Sequence, residues 1–259
     1  MRQIEIEAEL RQLENGVSEN DSLALSDLTA ELLQLRGKGQ RLTTRAVVLL
    51  GDPAFAEVQG SFAAPAGMFA VQESQRIARI ADHALSAGAK VAASCQNDGS
   101  TARLSFQVRD ADATIETRIR FLTSETIGAI TAPLLQPKML KQGAQTFATL
   151  PLTANHISRY TTLAHDPNPL HEDATAAQMA GFADVIAPGM LLCALAEAAF
   201  VQTSHHANIH DLHARFLSPA PVDTSVQVHI SHMSAAKSRV FVTSDTQDIH
   251  AIVDIFTAG

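Results

Sequence analysis

The sequence predicts an α+β protein made of two similar halves, each a buried helix wrapped by an antiparallel sheet. Three observations carry this prediction. Two stretches, 69–87 and 190–201, hold apolar residues at helical spacing or on all sides. Each is followed by three or more runs that read as antiparallel strands. Within the second half, Tyr160 to Met190 concentrates prolines and polar side chains.

In chain order, residues 2–12 alternate Ile4, Ile6, Ala8 and Leu10 with charges, the pattern of a half-buried strand. Leu25, Leu28, Leu32 and Leu35 recur at helical spacing, with Ser22 or Ser26 placed to cap the start and Gly37 and Gly39 to stop it. Arg41 to Leu50 reads as a buried strand ended by Gly51-Asp52-Pro53, and 55–63 as another short strand. From Phe69 to Ala87 the period is helical, with Ile77, Ile80, Ala81, Ala84 and Leu85 on one face and Gly88 at the end. Strand-like runs at 89–96, 101–109 and 112–122 are joined by Asn97-Asp98-Gly99 and Asp110-Ala111-Asp112, both suited to hairpins. Residues 123–145 are broken by Ser, Thr, Gly and Pro and read as a connection. A strand at 145–152 leads into the proline-rich run. Met190 to Val201 is apolar almost all round, with Glu197 its lone charge; such a helix belongs in a core. Strand-like runs at 209–217, 223–232, 238–245 and 248–256 follow. The expected organisation is a first half at 1–125, a connecting segment at 126–144 and a second half at 145–259.

Of the 259 residues, 46% are hydrophobic and 18% charged, enough to bury a sizeable core. A net charge of −8 disfavours nucleic acid as the main partner, because phosphate binding relies on clustered Lys and Arg. Cys95 and Cys193 lie far apart in apolar surroundings, and are expected as buried free thiols in a reducing compartment. Glu5, Glu7 and Glu9 argue against a signal peptide, and no uncharged apolar run is long enough to span a membrane. The expected location is the cytoplasm, away from membranes.

The chemistry concentrates at Asp166-Pro167-Asn168-Pro169-Leu170-His171. Each proline fixes its own φ and pushes the residue before it out of the helical region, so Asp166 and Asn168 are expected in extended or turn geometry. A stiff loop holding an acid, an amide and an imidazole suits general acid–base work, which depends on geometry. Downstream, Gly189 opens the apolar helix, where unpaired N–H groups and the positive end of the helix dipole could hold a developing oxyanion. Glycine there allows close approach of a reacting group.

The pattern Tyr160-x5-Asp166-x-Asn168-Pro169-Leu170-His171-x-Asp173, followed by Ala180-Gly181-Phe182 and Ile186-Ala187-x-Gly189-Met190, resembles the hydratase 2 motif of MaoC-like proteins. The resemblance implies a hot dog fold, here a tandem double hot dog. It implies an (R)-specific enoyl-CoA hydratase, or 3-hydroxyacyl thioester dehydratase, working without a metal or redox cofactor. Asp166 and His171 would be the catalytic pair and the Gly189 amide the oxyanion donor. Asn168, His165, Pro188, Met190 and Arg215 would meet the substrate, a CoA or acyl-carrier thioester. The first half would shape the acyl pocket and carry no catalytic residue, and a homodimer is open. Two residues depart from the family pattern: His165 stands where Gly or Ser is common, and Pro188 where His is frequent. Both bear on substrate range.

Plainer expectations stand beside these. Tyr160 packs the loop, and Asp173 caps a short helix at 174–180. His205, His206, His210 and His213 straddle a helix end and a strand start, and are not expected to converge on a metal. Glu197 must reach the surface or find a partner, because a lone buried carboxylate is costly. Rival functions are a hot dog thioesterase and a non-catalytic acyl-thioester-binding subunit.

Overall fold

A computed structural model describes residues 4–5, 9–14, 16–35, 41–60, 64–80, 85–166, 168–204 and 208–258. Its strands are β1 (Ile4–Glu5), β2 (Glu9–Gln12), β3 (Phe69–Ala78), β4 (Lys90–Asn97), β5 (Thr101–Val108), β6 (Ala113–Leu122), β7 (Gln145–Ala148), β8 (Ile209–Phe216), β9 (Gln227–Ser234), β10 (Lys237–Thr243) and β11 (Ile249–Thr257). They join in one sheet ordered β1-β4-β5-β6-β3-β8-β11-β10-β9-β7, with β2 also on β4. The first half runs β2-β4-β5-β6-β3 and the second β7-β9-β10-β11-β8. This is the same permutation of five strands, so the two halves repeat at the level of topology. They meet where β3 and β8 pair antiparallel, from Ser74 opposite Arg215 to Ala78 opposite Asp211. Arg76 clasps Asp211 across that seam at 2.9 Å.

The helices are α1 (Glu19–Leu32), α2 (Ala56–Gly60), α3 (Ser124–Gly128), α4 (Ala154–Ala164), α5 (Ala174–Met179) and α6 (Gly189–Thr203). As its composition predicts, α6 is buried along its length, from Met190 to Val201. Each Leu hidden there is worth roughly 1.5–3 kcal/mol of transfer free energy. The strands of the sheet alternate as read: on β6, Ile115, Thr117, Ile119 and Phe121 are buried while Arg118 and Arg120 are exposed. The β4–β5 turn is organised by Asp98, whose carboxylate accepts from Ser100 N–H and Thr101 N–H. Those donors hold its carboxyl down to about 2. Cys95 and Cys193 are free and buried.

Four readings of the first half change. Phe69–Ala78 is a strand, not the start of a helix, because it has sheet partners on both edges, β6 and β8. Non-local pairing overrides the local period there. Ala81, His83 and Ala84 lie outside the described residues. Thr43–Gly51 is a 3₁₀ segment packed on α6, not a buried strand. Pro53–Phe55 and α2 stand in place of the short strand expected at 55–63 as far as Gly60, with 61–63 outside the described residues, and Asp52 caps the turn through Ala54 N–H. Finally, α1 starts earlier than Ser22: Ser18 is its cap, accepting from Asp21 N–H, while Ser22 and Ser26 are buried inside the helix. Gly37 and Gly39 lie outside the described residues.

The connection between the halves is tied down. Leu135 N–H donates to Gln247 O and Ile249 N–H to Pro133 O, both at 2.8 Å, and Leu135 packs with Phe241 and Ile249. At its start, Ile127 of α3 packs with Leu170, Ala177 and Phe182, against the proline-rich run.

Candidate active site

The site begins with α4, which the sequence reading passed over. Thr153 caps it in a reciprocal capping box with His156. Ile157, Tyr160, Thr161 and Ala164 form its buried stripe, at the i, i+3, i+4, i+7 spacing that would have revealed it. The helix ends at His165, whose φ of 50° is left-handed, and the chain turns directly into Asp166. Asp166 N–H donates back to Thr161 O at 2.9 Å.

From there the side chains organise one another. Asp166 Oδ1 accepts from Asn168 N–H at 3.1 Å, leaving Oδ2 3.7 Å from His171 Nε2. Asn168 is extended, with φ −71° and ψ 113°, as the following proline requires. Its Oδ1 accepts from Leu170 N–H at 3.2 Å, which turns its Nδ2 toward His171 Nε2 at 3.4 Å. His171 Nδ1 lies 2.8 Å from the Ile186 carbonyl. A carbonyl only accepts, so Nδ1 carries the proton and Nε2 of the neutral ring presents a lone pair toward Asn168 and Asp166. His171 is 8% exposed and the Asp166 side chain 31%, so the pair sits at a buried wall with an open side. Asp173 caps α5 through Thr175 N–H and Ala176 N–H, holding the chain just beyond the pair.

A cavity of about 860 Å³ opens against this wall, lined by Asp166, Asn168, His171, Pro188, Gly189 and Met190. His165 and Tyr160 line it as well. Burial pushes the Tyr160 hydroxyl well up, and the charge of Asp166 adds to that, so it stays protonated. Pro188 caps α6 without a side-chain bond, and Gly189 and Met190 are its first two residues. Their N–H groups precede any intrahelical partner. A Cβ on Gly189 would come 2.9 Å from the Phe216 ring, so glycine is required there for space. The first half contributes Val71, Thr117, Ile119 and Leu122 to the same cavity, residues that no local motif marks.

Arg215 is not brought to this cavity; it is exposed on β8, next to the lining residue Phe216, and lies 4.0 Å from Asp254. His210 and His213 sit on β8, with His213 3.0 Å from Asp211, while His205 and His206 fall outside the described residues. Among the described residues no cluster of His, Cys, Asp and Glu could hold a metal ion. No helix described is long and apolar enough to cross a membrane.

Glu197 has its partner: Thr43 N–H and Thr44 N–H of the first half donate to its two carboxylate oxygens. Burial raises its carboxyl above the usual range, and those donors lower it only in part.

The family profile described as MaoC like domain matches residues 137–252. The chain is 47% identical over 57 residues to the mitochondrial 3-hydroxyacyl-acyl-carrier-protein dehydratase FERN of Solanum lycopersicum, a match covering 22% of this chain and 31% of that protein. It therefore spans about a third of the length of this curated relative. The structure is similar to the MaoC-like dehydratase of Phytophthora capsici (TM-score 0.65, 16% identity, 99% of this chain and 96% of that one). It is similar also to a Mycobacterium tuberculosis protein described as having a double hot dog fold (TM-score 0.56, 11% identity, 98% and 97% covered). Residues 137–252 thus match a MaoC-like domain, within a chain that has a double hot dog fold.

Proposed function

We propose that the protein is a hydro-lyase that reversibly hydrates trans-2-enoyl thioesters to (R)-3-hydroxyacyl thioesters. The observation that carries this reading is the Asp166–His171 couple, with a free carboxylate oxygen 3.7 Å from an imidazole lone pair, on the wall of a cavity shared with Gly189. A water held between Oδ2 and Nε2 loses a proton to the pair as its oxygen attacks Cβ of the enoyl group. The electrons move to the thioester oxygen, which the Gly189 N–H stabilises. A proton returned by the pair to Cα completes the addition, so the product is the substrate plus one water. Asn168 orients His171 without adding charge.

The acyl group lies along the wall that Val71, Ile119 and Leu122 provide, so residues 1–125 shape the pocket and 145–259 carry the chemistry, joined by 126–144. The curated relative's name supports a 3-hydroxyacyl thioester on a carrier protein, with CoA thioesters as the alternative. The expected setting is the cytoplasm.

Hydration of crotonyl-CoA and longer enoyl-CoAs, followed by loss of the enoyl thioester absorbance, tests the proposal. Asp166→Ala and His171→Ala should each lower kcat by about 10²–10⁴-fold, the range for losing a general acid–base group. Full turnover in both variants sinks it, and release of free CoA in place of hydration identifies a thioesterase.

A further inference from the structure

The Thr43–Gly51 segment of the first half is held by the second half at both ends. At its start, Thr43 N–H and Thr44 N–H donate to Glu197 of α6. At its end, a Cβ built on Gly51 would stand 2.4 Å from His165 Cβ and 2.8 Å from the His165 carbonyl oxygen. Both separations are far inside contact distance, so this junction has room for one Cβ and not two. His165 occupies that room. It is also the left-handed residue that directs the chain into Asp166, and both Gly51 and His165 line the cavity.

We propose that Gly51 is a positioning residue for the reaction. The Thr43–Gly51 segment acts as a brace from α6 to the backbone of His165, and so sets where Asp166 stands relative to His171 and Gly189. The proposal rests on the reading of Asp166 and His171 as the catalytic pair. The lever is short: His165 precedes Asp166 directly, so an ångström of displacement at one is nearly that at the other. A misplacement of that size can cost about 10²-fold in rate. The brace is anchored on the same helix that opens with Gly189, so loop and oxyanion donor share one reference. The large residue at 165 and the absent side chain at 51 are two parts of one fit.

The test compares Gly51→Ala, His165→Gly and the double variant with the wild type. Gly60→Ala is the control, because among the described residues a Cβ there meets nothing within 4 Å. Gly51→Ala should lower kcat for enoyl thioester hydration about 10–100-fold while KM moves less than about threefold. Gly60→Ala should match the wild type. The double variant should recover part of kcat, since His165→Gly removes the nearer of the two struck atoms and leaves the carbonyl oxygen at 2.8 Å.

A second readout needs no turnover. In ¹⁵N-histidine NMR spectra the ring signals of His171, identified by their loss in His171→Ala, should move in Gly51→Ala and return in the double variant. If the wild type hydrates no enoyl thioester, the functional reading fails, and these signals alone decide the brace. Unmoved His171 signals with wild-type kcat in Gly51→Ala overturn the proposal, as does a double variant without recovery. Should Gly51→Ala fail to fold, a folded and active double variant supports the brace, and an unfolded one overturns it.

Discussion

Glu197, midway along the buried α6, accepts the backbone N–H of Thr44 at 2.8 Å, 153 residues away in the chain. With Thr43 N–H on its other oxygen, the carboxylate caps a 3₁₀ segment of the opposite half. Removing it strands one buried and one partly buried donor, at a cost of about 1–3 kcal/mol for a buried one. Glu197→Ala should therefore lower unfolding free energy by about 2–4 kcal/mol, seen as a fall in the urea midpoint at unchanged slope. A change within error would remove the cap from the account.

The same group gives a pH dependence. Burial raises the Glu197 carboxyl in the folded state. A carboxyl raised above its unfolded value of about 4.3 contributes stability that is fully present below that value and is lost as pH rises through the folded one. The stability of wild type relative to Glu197→Gln should thus decline as pH rises above about 4.3. A difference that is flat or climbs over that range contradicts the sign.

Asp254 has the opposite sign. Burial raises its carboxyl, but the hydrogen bonds and charge of Arg239, at 2.7 and 2.8 Å, with the charge of Lys237, lower it overall. A depressed carboxyl contributes stability above its unfolded value of about 3.9 and loses it as pH falls through the folded one. Arg239→Met should be less stable than wild type at neutral pH, with the gap narrowing on acidification below about pH 4. Denaturant midpoints across pH measure this.

Asn168→Asp keeps an acceptor for Leu170 N–H but places a carboxylate beside His171 Nε2, 3.4 Å away in the wild type. A negative charge there favours the protonated ring. The acidic limb of the kcat/KM profile should shift to higher pH. An unshifted limb would mean that His171 is not the base the profile reports.

Gly189→Ala drives a methyl group to 2.9 Å from the Phe216 ring. Overpacking of this kind costs about 1–3 kcal/mol and here displaces the amide proposed to hold the enolate oxygen. Enoyl thioester hydration should fall about tenfold or more in kcat/KM, and Phe216→Leu in the same protein should restore part of it. Unaltered kinetics in Gly189→Ala would move the oxyanion site elsewhere.

Legibility followed the range of the interaction. The geometry of Asn168 was readable because proline acts on its immediate neighbour, and α6 because its apolar surface leaves no face for water. The strands β4 to β6 and β8 to β11 were readable from alternation and from turns such as that at Asp98. Helix α4 was readable too, since Ile157, Tyr160, Thr161 and Ala164 declare its stripe, but the prolines beyond it drew the whole run into a loop.

What the chain determines by itself is therefore local: periodicity, turn chemistry and the spacing of acid, amide and imidazole within six residues. What only the tertiary structure decided is whatever joins distant parts of the chain. Phe69–Ala78 became a strand because β6 and β8 supply hydrogen bonds on both edges. Thr43–Gly51 became a 3₁₀ segment whose N–H groups found Glu197. The cavity wall came from Val71, Thr117, Ile119 and Leu122 of the other half. Each depends on which groups are left unpaired or uncovered once the two halves close on each other, and neither half's sequence states that alone.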